Sequence, residues 1–454
     1  MDRLNKEILR IAIPGIITNV TVPLLGIVDL AIVGHMSSSP LYGEVDATAA
    51  IGAVSVGGLI FNMVYWLFNF LRLGSSGLTA QAFGRKDGSG ERQVLRMGLQ
   101  MAVVCGVGIF ALQRPLERVA HFVIAPTDQV WQMALSYFRI RIWAAPAVLS
   151  LFAMNGWFIG MQNSRFPMYI AIGQNVLNIA LSAFLVFSRG MGVEGVALGT
   201  VASQYAGLAA AFVFHRLVGL HDAKEAETAP SARTAVTWRS FLSVNRDIFL
   251  RMICLIAVTT SFTSFGARQG DLMLAVNTML IQLFLLFSYF SDAFSLAGEA
   301  LVGKYYGMEQ KAGLAGLEVR RREAHSALRL CVGRLFAWAG IVTVLFTIAY
   351  FLGGDLILEV LTDDADVIEA AGPYLPWCLA IPVAGIAAFM WDGVFIGITA
   401  TRQMLYTLAV AAFVFFALWF APLPLSDNHH LWFSFIAYLG TRSLFQTWLA
   451  RSVI

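Results

Sequence analysis

The sequence predicts an all-α integral membrane protein of about twelve transmembrane helices arranged as two pseudo-symmetric six-helix lobes. Three observations carry this prediction: the composition, the length of the apolar runs, and a match between the two halves of the chain. Of 454 residues, 58% are hydrophobic and 13% charged, where a soluble domain carries about a quarter charged residues. Crossing the hydrocarbon core takes roughly 20 apolar residues as a helix. The runs are continuous, whereas β-barrel strands alternate polar and apolar residues over short segments.

Spans are expected near 9–35, 47–71, 94–113, 130–160, 167–188 and 192–215, then near 247–267, 272–303, 327–353, 370–398, 404–422 and 430–450. The fourth and tenth are long and carry Pro146 and Pro382, so tilt or kinking is expected there. Alternate loops are basic: Arg85, Lys86, Arg92 and Arg96; Arg165; Lys224 to Arg246; Lys304 to Arg322; Arg402; and Arg451. The opposite loops are acidic or sparse, with Glu44, Asp46, Glu194, Asp271, Asp363, Asp364, Asp366 and Asp427. This alternation places both termini in the cytoplasm. Arg114, Arg118, Arg139, Arg141, Arg189 and Arg268 run against it.

A hydrophilic stretch near the middle reads as a cytoplasmic linker. It divides the chain into an amino-terminal lobe (1–217), a linker (218–245) and a carboxy-terminal lobe (246–454). Tyr137–Tyr169 lies on Tyr374–Tyr406 without a gap, matching Phe152 with Phe389, Gly156 with Gly393, Phe158-Ile159-Gly160 with Phe395-Ile396-Gly397, and Arg165 with Arg402. Ala82-Phe83-Gly84 likewise matches Tyr305-Tyr306-Gly307. Parallel repeats of this kind characterise transporters that bind substrate between their halves and alternate access by rocking.

The net charge of +3 marks the basic residues as topology determinants, not a nucleic-acid surface. Cys105, Cys254, Cys331 and Cys378 show no CxxC spacing, so neither a metal site nor a disulfide framework is expected. No cleavable signal peptide is expected, because the first apolar run is too long for one. Gly298–Lys304 approaches a P-loop, but Tyr305 stands where Ser or Thr must hold Mg²⁺. HExxH and GxSxG are absent. The chain therefore reads as a non-enzyme whose transport draws on an ion gradient.

An ionisable group at bilayer depth costs at least about 2.5–3.5 kcal/mol, which makes each one a functional candidate. Asp29 lies well inside span 1 with no basic residue near it in sequence, and Pro14, Pro23 and Gly26 give that helix places to bend. It is a candidate proton carrier; the alternative is a structural carboxylate bonded to a neighbouring helix. Asp292 and Glu299 sit two turns apart in span 8, Asp392 lies in span 10, and Arg251 near the start of span 7. For Asp292 and Asp392 function and structural pairing stay equally open, and Glu299 fits an interfacial position as well. The repeat sets Asn69 opposite Asp292 and Asn155 opposite Asp392. Few intramembrane cations beyond Arg251 are expected. Aromatic and Met side chains such as Phe61, Met63, Tyr65, Trp66, Phe284, Met390 and Trp391 suit apolar ligands, although packing and lipid contact explain most of them.

Three segments resemble the multidrug and toxic compound extrusion (MATE) family, and within it the DNA-damage-inducible protein F branch. They are Asn19-Val-Thr-Val-Pro-Leu-Leu-Gly-Ile-Val-Asp29 with Gly34-His35; Gly77-Leu-Thr-Ala-Gln-Ala-Phe-Gly84; and Asn245-Arg-Asp-Ile with Arg251, Gly266-Ala-Arg268 and Ala275-Val-Asn277. Asp392-Gly-Val-Phe-Ile-Gly397 supports them, and the resemblance covers essentially the whole chain. It implies a MATE-like fold around a central cavity and export of organic, often cationic and aromatic compounds in exchange for H⁺ or Na⁺. No cofactor beyond the coupling ion is implied. It also implies a monomer in a bacterial inner membrane. By this resemblance Asp29, Asn178, Ser182 and Thr200 form the cation- or proton-coupling site. Asp292, Glu299, Asp392, Arg251, Asn277 and Trp391 are candidates for a substrate or second cation site. Ser182 departs from the family pattern, which has a carboxylate there, and this favours H⁺ over Na⁺. The runner-up function is a flippase for a lipid-linked or amphipathic substrate; from another class, a channel or scaffold is the remaining reading.

Overall fold

Helix is the only regular structure among the residues that the computed structural model describes, 3–36, 47–124, 127–222 and 236–453. The first half contains α1 (Arg3–Gly34), α2 (Ala47–Leu67), α3 (Phe70–Arg85), α4 (Gly88–Ala111), α5 (Gln113–Ile124), α6 (Asp128–Arg141), α7 (Ala145–Gly160), α8 (Arg165–Phe187) and α9 (Gly192–Asp222). The second contains α10 (Trp238–Ala267), α11 (Asp271–Leu314), α12 (Glu318–Leu361), α13 (Ala365–Ala371), α14 (Leu375–Gly397), α15 (Thr401–Trp419) and α16 (Asp427–Ala450). Helix thus occupies 218–222 and 238–245, which the sequence assigns to the linker; 223–235 lie outside the described residues.

Eleven of the described segments are long and apolar enough to cross a membrane, with α2–α3, α6–α7 and α13–α14 each acting as one span. α16 is not among these eleven, although it is long enough for a twelfth. Its 24 residues span about 36 Å, but it carries Asp427, His429, His430 and Arg442, and much of its polar face is buried. The outward faces are apolar: Val104, Phe351, Leu352 and Phe413 are each more than 70% exposed, which suits contact with lipid tails, not water.

The breaks have local causes. Pro146 and Pro376 stand in the first turns of α7 and α14, each preceded by a short 3₁₀ turn, Ile142–Ala144 and Gly372–Tyr374. In α1, Pro14 provides no N–H for the carbonyl of Arg10; Ser164 Oγ donates to that oxygen instead, at 3.3 Å. α2 and α3 part at Phe68–Asn69 without Pro or Gly, through i→i−3 bonds from Phe68 N to Tyr65 O and Asn69 N to Trp66 O. α5 is an amphipathic segment that the sequence reading places in a loop. Glu117 on it accepts two hydrogen bonds from Arg139, at 3.0 and 3.1 Å, which accounts for one arginine against the charge trend.

At the end where α3, α7 and α14 finish, the two halves meet through small residues. A Cβ on Gly77 would overlap the carbonyl of Ile396, and one on Gly303 would press on Ala80. Gln81 Nε2 donates to Gly397 O at 2.8 Å, and Gln162 Nε2 donates to Ala300 O at 2.7 Å. Small residues let membrane helices approach closely enough for such contacts. The repeat extends to backbone detail. Gln162 (φ 62°) and Thr399 (φ 57°) end α7 and α14 in the same left-handed conformation, and Asn163 N and Ala400 N return to Phe158 O and Phe395 O.

Candidate functional site

In the amino-terminal lobe, Asn178 and Ser182 stand one turn apart on α8 and face Thr200 on α9. Asn178 Nδ2 donates to Thr200 Oγ1 at 2.9 Å, and Thr200 Oγ1 donates to Val196 O at 3.0 Å. α8 and α9 come this close because residue 199 is glycine, where a Cβ would overlap Ser182. Asp29, on neighbouring α1, is 5% exposed. Its level is fixed by an apolar cluster joining Val28, Ile32 and Val33 to Tyr137, Val186 and Val196. Asp29 Oδ1, Asn178 Oδ1 and Ser182 Oγ are buried without hydrogen-bond partners. Such orphans are uncommon in native interiors and mark a place to seek a function.

The group sequence reasoning missed here is Arg141. It carries a charge that acts on Asp29, Tyr65 and Tyr137. Its signal was present, because Arg141 runs against the loop-charge alternation while lying inside span 4.

In the carboxy-terminal lobe Asp392 on α14 is held from three sides. Arg251 on α10 and Arg442 on α16 both donate to Oδ2, and Gln446 Nε2 donates to Oδ1 at 2.8 Å. All four side chains are buried. Arg442 also lies 5.6 Å over the ring of Phe389. Arg72 on α3 pairs with Glu299 on α11 at 3.4 Å and anchors on Asn69 Oδ1 at 3.2 Å. Glu299 is therefore a buried, paired carboxylate and not an interfacial one. Asp292 is exposed although it sits among the charges of Arg72, Arg251, Asp392 and Arg442. Asp292 is thus an accessible carboxylate with deep charges on several sides. Three arginines and three carboxylates balance there.

The expectation of few intramembrane cations is corrected: Arg72, Arg141 and Arg442 join Arg251 in the spans. Asn277 lies away from this cluster. It bonds Asn428 at 2.7 Å and Trp432 at 2.9 Å, and fifteen residues of α11, about 22 Å, separate it from Asp292. Trp391 turns away from Asp392, donating to Thr447 Oγ1 at 2.8 Å and packing on Phe336. Phe61, Phe287 and Met390 are packed within the protein, whereas Met63 and Trp66 are exposed.

This architecture has known counterparts. DNA damage-inducible protein F of Escherichia coli (strain K12) is 34% identical over 440 residues, covering 97% of this chain and 90% of that protein. Protein DETOXIFICATION 44, chloroplastic, of Arabidopsis thaliana is 24% identical and covers 99% of this chain and 82% of its own. A crystal structure of MATE in the bent conformation superposes with a TM-score of 0.81 at 16% identity, over 99% of this chain and 95% of that one. The MatE family profile matches residues 14–184 and 322–421, and with the two repeated lobes and buried polar groups described above, the chain belongs to the MatE family of transporters.

Proposed function

We propose that this chain is a secondary active exporter of organic compounds that exchanges them for H⁺ in preference to Na⁺, by rocking its two lobes. Asp29 carries the reading. As a carboxylate it leaves a buried anionic oxygen unsatisfied, which is costly; a proton removes that cost, and its departure restores a charge that α1, with Pro14 and Pro23 inside it, can follow. With Ser182 in place of a second acid, the site has one carboxylate, too little negative charge to favour Na⁺. The lobes are taken as 1–217 and 246–454. By the loop charges, the protein sits in a bacterial inner membrane with both termini cytoplasmic, working as a monomer. The end closed by Gly77, Gly303 and Gln81 then faces the cytoplasm, and the side on which Asp292 is exposed faces outward. Asp292 offers a small aromatic cation an accessible carboxylate.

The flippase reading draws on the arginines. Since Arg72, Arg251 and Arg442 are balanced by Glu299, Asp292 and Asp392, this cluster is not net basic, and export ranks first.

The test is efflux of a fluorescent organic cation from proteoliposomes under an imposed pH gradient or an imposed Na⁺ gradient, with Asp29→Asn alongside. Transport driven by pH and lost in the variant is expected. Wild-type rates in Asp29→Asn end the proposal, and absence of transport under both gradients turns attention to the flippase.

A further inference from the structure

We infer that Arg141 is a resident cation of the amino-terminal lobe, a guanidinium whose charge offsets that of Asp29 across the pocket without touching it, so that the lobe takes up protons and excludes Na⁺. The inference rests on the proton-exchange reading of Asp29 and names what makes that site selective.

Arg141 is fixed from several directions. Its Nη1 donates to Tyr137 Oη, and its guanidinium lies 5.1 Å from the ring centre of Phe61 and 5.4 Å from that of Tyr137. Arg141 is half-buried, and aromatic faces stabilise a cation in such a position. Tyr137 is itself wedged, because a Cβ at Gly57 would overlap its ring, and both rings are almost fully buried. Arg72, Arg251 and Arg442 each touch a carboxylate, whereas Arg141 has none within the 4.0 Å ion-pair limit among the described residues.

The carboxylate within its electrostatic reach is Asp29, whose Oδ1 is buried and unpartnered. The other polar groups around the Arg141–Asp29 pair are phenols, hydroxyls and an amide. Tyr65 comes from α2, Tyr137 from α6, Asn178 and Ser182 from α8, and Thr200 and Tyr205 from α9. On α11, Asp292 faces Arg72 and the Asp392 cluster instead. The charge balance follows. With Asp29 ionised, the pair is neutral, and either a proton or Na⁺ brings it to one net positive charge; Na⁺ stays a separate ion that must shed its water and be held by several oxygens beside the guanidinium, whereas the proton becomes part of an O–H bond. With Asp29 protonated, one positive charge remains, held by the rings. A proton adds to the carboxylate and leaves from it, and no other cation is needed.

The test uses the purified full chain. Thermal stability is measured with and without about 100 mM NaCl against choline chloride, and transport is followed as a function of pH and Na⁺. Wild type is expected to show no Na⁺-specific stabilisation. Arg141→Gln, which frees Asp29 of its counter-charge, is expected to gain at least a few degrees in Na⁺ and to shift its pH profile; Arg141→Lys restores wild-type behaviour. Should Arg141→Gln fail to fold, Ser182→Asp applies the same count with Arg141 in place and is expected to create Na⁺-specific stabilisation. Absence of that stabilisation in a folded Arg141→Gln protein, or in Ser182→Asp where it replaces that variant, overturns the role of Arg141 while leaving proton exchange at Asp29 standing. Na⁺-driven transport by the wild type overturns both.

Discussion

Gly84 and Gly307 occupy mirrored positions in the seam between the lobes. A Cβ on Gly84 would overlap the carbonyl of Lys304, and a Cβ on Gly307 would overlap that of Gln81. Residue 304 is the repeat equivalent of 81, as 307 is of 84. Gly156 against Arg72 and Gly393 against Ser295 form a second mirrored set.

Alanine at Gly84 or Gly307 must push backbone aside, because the opposing atoms are carbonyls and not mobile side-chain ends. Each substitution is expected to destabilise the fold by about 1–3 kcal/mol. Gly333→Ala on α12 meets nothing within 4 Å and is expected to be neutral or stabilising by up to about 1 kcal/mol, helix propensity alone deciding. Thermal melts in detergent compare the three.

Removing Asp392 strands two guanidinium groups. Asp392→Asn is expected to cost about 3–5 kcal/mol, the range for breaking a buried ion pair on one side. Asp292→Asn, at an exposed position, is expected to leave stability within about 0.5 kcal/mol of wild type. Equal losses in the two variants would contradict the burial assigned to each acid.

Trp432→Phe deletes the donor to Asn277 Oδ1 while keeping the ring close in size. The buried amide oxygen loses a partner, so a stability loss of about 1–3 kcal/mol is expected. Transport by the folded protein is expected to be unchanged, because Asn277 serves the packing of α11 on α16. A changed substrate profile would return Asn277 to the binding site.

Gln81→Leu removes the bonds to Gly397 O and to Thr399 Oγ1, the latter 3.1 Å long. The closed end is expected to loosen by about 1–3 kcal/mol. A cysteine placed at Ala80, fully buried in this state, is then expected to react faster with a water-soluble maleimide than in the parent carrying the same cysteine.

The spans and the repeat were legible because both depend on patterns long enough to outweigh local detail. Twenty apolar residues have few alternatives, and the matched Gly and Phe positions proved to be contact positions. Three features were not legible. The break at Phe68–Asn69 has no Pro or Gly to announce it. α5 is short and amphipathic, so it lacks the apolar length that marks a span. The partners of Asp392 lie 141 and 50 residues away in sequence, and only tertiary packing joins them. Arg442 was readable as a charge inside a span, though not as half of a clamp. For Asn178, Ser182 and Thr200, the helical spacing fixed who shares a face, while the orphaned oxygens emerged only with the packing of α8 on α9.

α11 and α12 are 44 residues each, about 66 Å of helix against a hydrocarbon layer of about 30 Å. The α11 end of the seam thus reaches past the lipid tails, where Arg85 Nη1 donates to Gln310 Oε1 at 2.7 Å. Parting that contact exchanges a protein partner for water instead of leaving bare polar groups in oil. If the lobes rock as proposed, that latch parts outside the lipid tails, where undoing it requires little work, while the mid-depth clamp on Asp392 stays shut.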